Sequence, residues 1–246
     1  GIELLVGYGL TETSPVVSCR RPWRNIRGSS GQPLPDTEFK IVDAETRQPL
    51  GFRDCGVVLV RGPQVMAGYL RRPEATAKVL DGDGWFDTGD LGMLLPDGSV
   101  VLTGRAKDTI VLSSGENIEP APLEEELVSS PLIEQVMLVG QDQRQLAALV
   151  VPRREALLAW GAEQGLSLPA DLGGTPGDQD LCRLLRGELN RLLSLRVGAR
   201  SDERVMGVVL VAPFTIENGL LTQTLKQRRD RISGRDRESI KALYGC

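Results

Sequence analysis

Between residues 39 and 105 the sequence is cut into short β-branched runs: FKIVD (39–43), GVVLVRG (56–62) and SVVLTGR (99–105). Turn-forming residues such as Pro96-Asp97-Gly98 close them. Runs this short with such brief connections predict a small antiparallel sheet or barrel. Between the second and third runs, RRPEATAKVL (71–80) predicts a helix, with Pro73 suited to its first turn. The opening IELLV (2–6) reads as one more strand.

After Gly104 the texture changes. DTIVLSSG (108–115) predicts a strand and a glycine turn, and Pro120 to Ser130 a helix with apolar positions at Leu123, Leu127 and Val128. EQVMLVGQ (134–141) and QLAALVVP (145–152) read as paired strands across Asp142-Gln143-Arg144. Arg153–Gln164 and Asp180–Leu195 read as helices, and VMGVVLVAPF (205–214) as the last strand. This order describes a compact α+β domain. A boundary is therefore expected near Gly104–Lys107. The Gly/Pro-rich stretch Gly165–Asp178 is expected to be a mobile surface loop.

Composition narrows the chemistry. Histidine is absent from all 246 residues, which excludes His-based zinc sites, Ser–His–Asp triads and Cys–His dyads within this chain. Any catalysis must run on Lys, Arg, Asp, Glu and backbone amides. Cys19, Cys55, Cys182 and Cys246 are scattered without a CxxC pair, the usage of free thiols in a reducing, cytoplasmic compartment. A net charge of −4 argues against a nucleic-acid binder. No apolar run approaches the ~20 residues of a membrane span. Basic residues nevertheless dominate between Lys226 and Lys241. That stretch is read as a solvated surface, as a steering patch for an acidic partner, or as a peripheral contact with anionic lipid.

Four runs concentrate glycine, hydroxyl and charged side chains. In GYGLTETSP (7–15) two glycines permit close backbone approach to a ligand, while Thr11 and Glu12 suit a phosphate and its magnesium. The same run also reads as a glycine turn with Thr and Glu as caps. In GWFDTGDLG (84–92), Asp90 can accept both hydroxyls of a ribose, or the run is an Asx-type turn between strands. In LTGRAKDTIVLSSGENIEP (102–120), Arg105 offers a bidentate guanidinium and Lys107 sits where backbone rotation would re-aim a domain. A β-hairpin with a basic linker fits that run equally. In NGLLTQTLKQRR (218–229), Lys226 is a point charge on a glycine-started loop, or part of a solvated basic helix face.

In this order the four runs resemble the acyl-activating, adenylate-forming superfamily, over essentially the whole chain. GENIEP, LVGQDQRQLAALVVP and ENGLLTQTLKQRR are most similar to long-chain fatty acid ligases, and RRPWRNIRGSSGQPLPDTEFKIVD to cyanobacterial acyl-acyl carrier protein synthetases. The resemblance implies an α/β and α+β multidomain fold. Residues 1–105 would be the carboxyl-terminal remnant of a large AMP-binding domain with a β-rich subdomain. Residues 106–246 would be a small mobile α+β domain with a helical insertion near 153–200.

It also implies ATP and Mg²⁺, a long-chain fatty acid, and transfer to acyl carrier protein or CoA. Tyr8, with Gly9, would pack on the adenine, Thr11 would bond the α-phosphate, and Glu12 would hold the magnesium. Asp90 would take the ribose hydroxyls with Arg105 beside it. Lys107 would be the hinge, Gly115 would line the pantetheine channel, and Lys226 would reach the substrate carboxylate and α-phosphate. The family's glycine- and Ser/Thr-rich triphosphate loop is not among these residues, so the chain is expected to be a carboxyl-terminal fragment that does not adenylate by itself. The rival expectation is a non-catalytic binding or interaction domain derived from such a ligase.

Overall fold

The structure, a computed structural model, describes residues 2–165 and 179–245. It divides into two compact units, which meet in sequence between Lys107 and Asp108. The first holds β1 (Gly7–Gly9), β2 (Val16–Cys19), β3 (Gln32–Pro33), β4 (Glu38–Val42), β5 (Gly56–Arg61), α1 (Pro73–Ala77), β6 (Phe86–Leu94) and β7 (Val100–Arg105). Strands β1–β2–β3 form one antiparallel sheet and β4–β5–β6–β7 a second, each in chain order.

Strand β5 explains why its sequence is apolar without interruption. Val58 and Val60 enter one core cluster with Tyr8, Val17, Ile41 and Val100, while Val57 and Leu59 enter another with Val42 and Leu91. A strand buried on both faces needs no polar alternation.

The second unit is built on the sheet order β10–β11–β12, from Ile133–Val139, Leu146–Pro152 and Val205–Leu210. Before it come a small hairpin, β8 (Ile110–Val111) with β9 (Asn117–Ile118), and α2 (Pro120–Val128). Helices α3 (Arg154–Glu163) and α4 (Gln179–Ser194) lie between β11 and β12, and α5 (Arg229–Arg235) and α6 (Arg237–Tyr244) follow. The central strand β11 runs antiparallel to β10 and parallel to β12.

Alternate residues of β11 again serve two cores. Leu146, Ala148 and Val150 pack with Leu123, Leu127 and Leu157, and with the α4 stripe Leu181, Leu185 and Leu189. That four-residue spacing keeps one helical face on the sheet. Ala147, Leu149 and Val151 pack with Phe214, Leu220, Leu221 and Ile232.

The mixed sheets and helices agree with the expected α+β class, but several elements differ from the sequence reading. IELLV is not a strand: Ile2, Leu4 and Leu5 are exposed, and pairing begins at Gly7. The helix expected over 71–80 is confined to Pro73–Ala77, because Leu80 bridges to Phe86 and Arg71 has a positive φ of 56°. The strand expected over 108–115 shrinks to two residues before its glycine turn. Val128, taken as an apolar face position, is exposed beside buried Leu123 and Leu127. After Lys226 the sequence reading held a basic helix face only as an alternative for 218–229; two helices, α5 and α6, begin at Arg229. Of the stretch Gly165–Asp178, residues 166–178 lie outside the described residues, as does Cys246. Among the described residues no helix is long and apolar enough to cross a membrane.

Candidate functional site

The run GWFDTGDLG is the start of strand β6, not a turn between strands. It keeps one turn-like feature, since Gly89 has φ 67° and its N–H donates to Asp87 Oδ1 at 2.9 Å. Thr88 fixes the distortion by donating to the Val58 carbonyl at 2.8 Å and accepting from the Asp90 N–H at 3.1 Å. The register of β6 shifts against β5 across Val57/Leu59, on one side of this segment, and against β7 at Leu91/Gly92 on the other. A bulged strand re-aims a side chain that a regular ladder would bury flat.

The re-aimed side chain is Asp90. The Tyr8 hydroxyl donates to its Oδ2 at 2.7 Å, and Arg105, its cross-strand partner on β7, donates Nε to Oδ1 at 2.8 Å. Asp90 is 9% exposed and Tyr8 8%. Burial above all, with the Asp90 carboxylate adding to it, holds the Tyr8 phenol far above its ordinary pKa, so it stays a donor. Each carboxylate oxygen has capacity for two acceptor contacts. Among the described residues one on each is used, leaving an oriented carboxylate suited to a vicinal diol. Most of the Tyr8 ring is enclosed by core, with Phe39 at 6.5 Å between centroids. The structure thus displays its hydroxyl on Asp90 rather than an open aromatic face.

Gly9 is required by the chain itself. A Cβ there would stand 1.7 Å from the Pro15 carbonyl oxygen and 2.7 Å from Val16 Cα. Thr11 and Glu12 follow in a single 3₁₀ turn, Thr11–Thr13. The capping role falls to Thr13, whose Oγ1 accepts the Leu10 N–H at 3.0 Å. Thr11 is exposed and Glu12 half-buried. Glu12 Oε1 accepts the Tyr69 hydroxyl at 3.0 Å, a contact across 57 residues of sequence. Among the described residues no three acidic, Cys or His side chains converge on a metal site. Glu12 therefore fits a magnesium ion only as one carboxylate among phosphate oxygens and water, an arrangement Mg²⁺ commonly adopts.

In the second unit, Gly115 turns the β8–β9 hairpin with φ 88°, and nothing lies within 4 Å of where a Cβ would stand. Lys107 closes the first unit, exposed in a 3₁₀ turn over Ala106–Asp108. Lys226 is exposed on a loop tied at both ends. Leu220 and Leu221 are buried, the Arg228 N–H reaches the Leu220 carbonyl at 2.9 Å, and Gln227 Nε2 reaches the Val136 carbonyl at 2.9 Å. Within the loop, Thr222 N–H bonds the Lys226 carbonyl at 2.8 Å, and the Lys226 N–H bonds Thr222 Oγ1 at 3.0 Å. Asn218 braces its start through the N–H groups of Thr215 and Leu220 and the Pro213 carbonyl. The lysine is a fixed tip, not the end of a loose tether.

Internal bonds also account for part of the basic excess after Lys226. Arg229 pairs with Glu124 at 2.7 Å and bonds the Leu138 carbonyl, Arg235 pairs with Asp236, and Lys241 with Glu238. Hydrogen bonds thus join Tyr8, Asp90 and Arg105 in one constellation and Glu12 to Tyr69 in another. Among the described residues of the first unit, no hydrogen bond joins the Thr11 or Lys107 side chain to either. Tyr69 was missed by the sequence reading, and no local signal links GYLRRPE to a glutamate so far upstream.

The chain matches two family models, AMP-binding enzyme over residues 1–70 and AMP-binding enzyme C-terminal domain over residues 107–164. With both in one polypeptide, it belongs to the AMP-binding enzymes. Within them its relatives are acyl-activating enzymes and long-chain fatty acid ligases. Probable acyl-activating enzyme 16, chloroplastic, of Arabidopsis thaliana is 45% identical over 99% of this chain and 34% of its own length. Long-chain-fatty-acid–[acyl-carrier-protein] ligase AEE15, chloroplastic, of the same plant is 43% identical over 99% and 33%. Human long-chain-fatty-acid–CoA ligase 1 is 34% identical over 99% and 35%. The chain thus spans about a third of these relatives. Among solved structures, the A domain of carboxylic acid reductase from Segniliparus rugosus, in complex with AMP and a co-purified carboxylic acid, superposes with a TM-score of 0.79 at 30% identity, over 99% of this chain and 36% of that one.

Proposed function

We propose that this chain is the carboxyl-terminal third of a long-chain fatty acid ligase. The enzyme would consume ATP to form an acyl-adenylate and then pass the acyl group to a pantetheine thiol. The observation that carries the reading is Asp90, buried yet held with acceptor capacity to spare between Tyr8 and Arg105. Such a carboxylate suits the ribose hydroxyls of a nucleotide, and the similarity to an AMP-bound A domain supports that use.

In this reading the fatty acid carboxylate attacks the α-phosphorus and pyrophosphate leaves. Thr11 donates its hydroxyl to the α-phosphate, and Lys226 places its ammonium against the charge that develops there. Magnesium, when bound at Glu12, would neutralise phosphate charge. A thiol then attacks the acyl carbonyl and AMP departs, a step for which Gly115 leaves an unobstructed turn. Because the Lys226 loop is anchored, presenting the lysine to one step and withdrawing it from the next needs rotation of its whole unit, with Lys107 as the proposed pivot. Acyl carrier protein is the proposed acceptor, supported by the higher identity to the acyl-carrier-protein ligase than to the CoA ligase.

The decisive experiment separates the half-reactions in the whole enzyme. Lys226→Ala should slow adenylation by about 10²–10³-fold, the usual cost of one transition-state charge contact. Transfer from a supplied acyl-adenylate should fall far less. Equal losses in both half-reactions would sink the assignment. Assay with acyl carrier protein and with CoA decides the acceptor.

A further inference from the structure

The segment from Met66 to Thr76 lies outside every motif that suggested a function, yet it is built around Glu12. The Met66 N–H donates to the Glu12 carbonyl at 2.8 Å, while the Tyr69 hydroxyl donates to Glu12 Oε1 at 3.0 Å. The segment therefore grips this glutamate by its backbone and its side chain at once. Tyr69 is itself fixed, since its N–H bonds Thr76 Oγ1 at 2.9 Å and Thr76 Oγ1 donates to the Arg72 carbonyl at 3.0 Å. Gly68 makes the approach with φ 146°, where a Cβ would fall 2.8 Å from Thr76 Cγ2. Among the described residues no other side chain bonds Glu12. One lone pair of Oε1 is thus taken, while Oε2 is left whole for a ligand.

That division has a chemical consequence. Magnesium takes carboxylates at short range in strict octahedral geometry and usually through one oxygen, whereas calcium readily accepts a carboxylate through both. Building on the reading of Glu12 as the magnesium carboxylate, we propose that Tyr69 is a positioning residue that biases Glu12 toward one-oxygen ligation through Oε2 and so favours magnesium over calcium. The tyrosine touches neither the metal nor the nucleotide in this scheme. Its hydroxyl competes for Oε1 against the bidentate mode and fixes the rotamer that presents Oε2.

The test uses Tyr69→Phe in the whole enzyme, which keeps the ring and the Met66 and Thr76 anchors, with Glu12→Gln alongside. Binding of Mn²⁺ with a non-hydrolysable ATP analogue is followed by the loss of the free-ion electron paramagnetic resonance signal, and Mg²⁺ and Ca²⁺ are titrated as competitors. Tyr69→Phe should weaken Mg²⁺ by about five- to tenfold, in keeping with one hydrogen bond to a charged group at a half-exposed site. It should leave Ca²⁺ unchanged or tighter, with the KM for metal rising more than kcat falls. Equal weakening of both ions, or no change, overturns the role of Tyr69 while Glu12→Gln still abolishes metal dependence. If Glu12→Gln leaves metal binding intact, the reading of Glu12 fails first and this inference with it. Thermal melting of Tyr69→Phe within a few degrees of the parent shows that the loop has held, and a larger fall overturns the positioning role in favour of a structural one.

Discussion

Asp90 and Lys226 are both charged groups proposed to meet a nucleotide, but the protein holds them in opposite ways. Asp90 is enclosed, pinned through both oxygens by residues 82 and 15 positions away. Lys226 stands exposed, and only its backbone is fixed. A carboxylate that must meet the same diol in every step gains from being oriented before the ligand arrives. A lysine needed in one step and not the next gains from a rigid base and a mobile stem. The contrast predicts that substitutions near Asp90 act on nucleotide affinity, and those near Lys226 on the rate of one half-reaction.

The largest expected effect on stability lies behind the lysine. Arg229 and Glu124 form a mostly buried pair, and Arg229 also bonds the Leu138 carbonyl. Arg229→Ala leaves Glu124 without its partner and should cost about 3 kcal/mol, read as a lower urea midpoint. Glu124→Ala should cost a similar amount, and the double variant less than the sum. Additive losses would show that the pair is not coupled. Gly9→Ala comes next, at about 1–3 kcal/mol, because the new methyl overlaps the Pro15 carbonyl. A neutral Gly9→Ala in thermal melting would refute the close approach of β1 to β2.

Tyr8→Phe should act on function more than on fold. Loss of one hydrogen bond to a charged, buried carboxylate should raise the KM for ATP about tenfold with kcat little altered, in steady-state assays of the whole enzyme. A fall in kcat at constant KM would dissolve the contrast with Lys226. Alkaline titration sharpens it further. Burial raises the pKa of Tyr8 and of Tyr244. Below about pH 10 both are protonated folded and unfolded, and stability is indifferent to them. Above it the unfolded chain loses these protons first, so stability falls as pH rises. Phenolate absorbance from these two should therefore appear together with unfolding, not before it. The smallest effect is at Leu225, in the left-handed region at φ 60°. Leu225→Gly trades that strain against chain entropy and should move the melting free energy by less than about 0.5 kcal/mol.

Strand β5, paired strands β10 and β11, and helices α3 and α4 were legible because each has a period or an apolar run that packing only has to accept. GWFDTGDLG misled because Asp-Thr-Gly-Asp is turn chemistry by local preference, while pairing with β5 and β7 on either side draws it into a bulged strand. Helices α5 and α6 were legible only as an alternative, a basic helix face, because a stretch dense in arginine shows little apolar pattern. Buried Ile232 and partly buried Ile240 and Leu243 supply its inner side, and Arg229 is met by Glu124, remote in sequence.

The sequence by itself determined the family, through four motifs in order, and the chemical repertoire, through the absence of histidine. It also named Glu12, Asp90 and Lys226 as candidates. Only the tertiary structure decided what each of them is bonded to. The tyrosines on Glu12 and Asp90 lie 57 and 82 residues away in sequence, and a contact across such separations depends on how strands and loops pack. A hydrogen bond needs its two atoms within about 3 Å, and no local pattern encodes a distance between parts of the chain that only folding brings together.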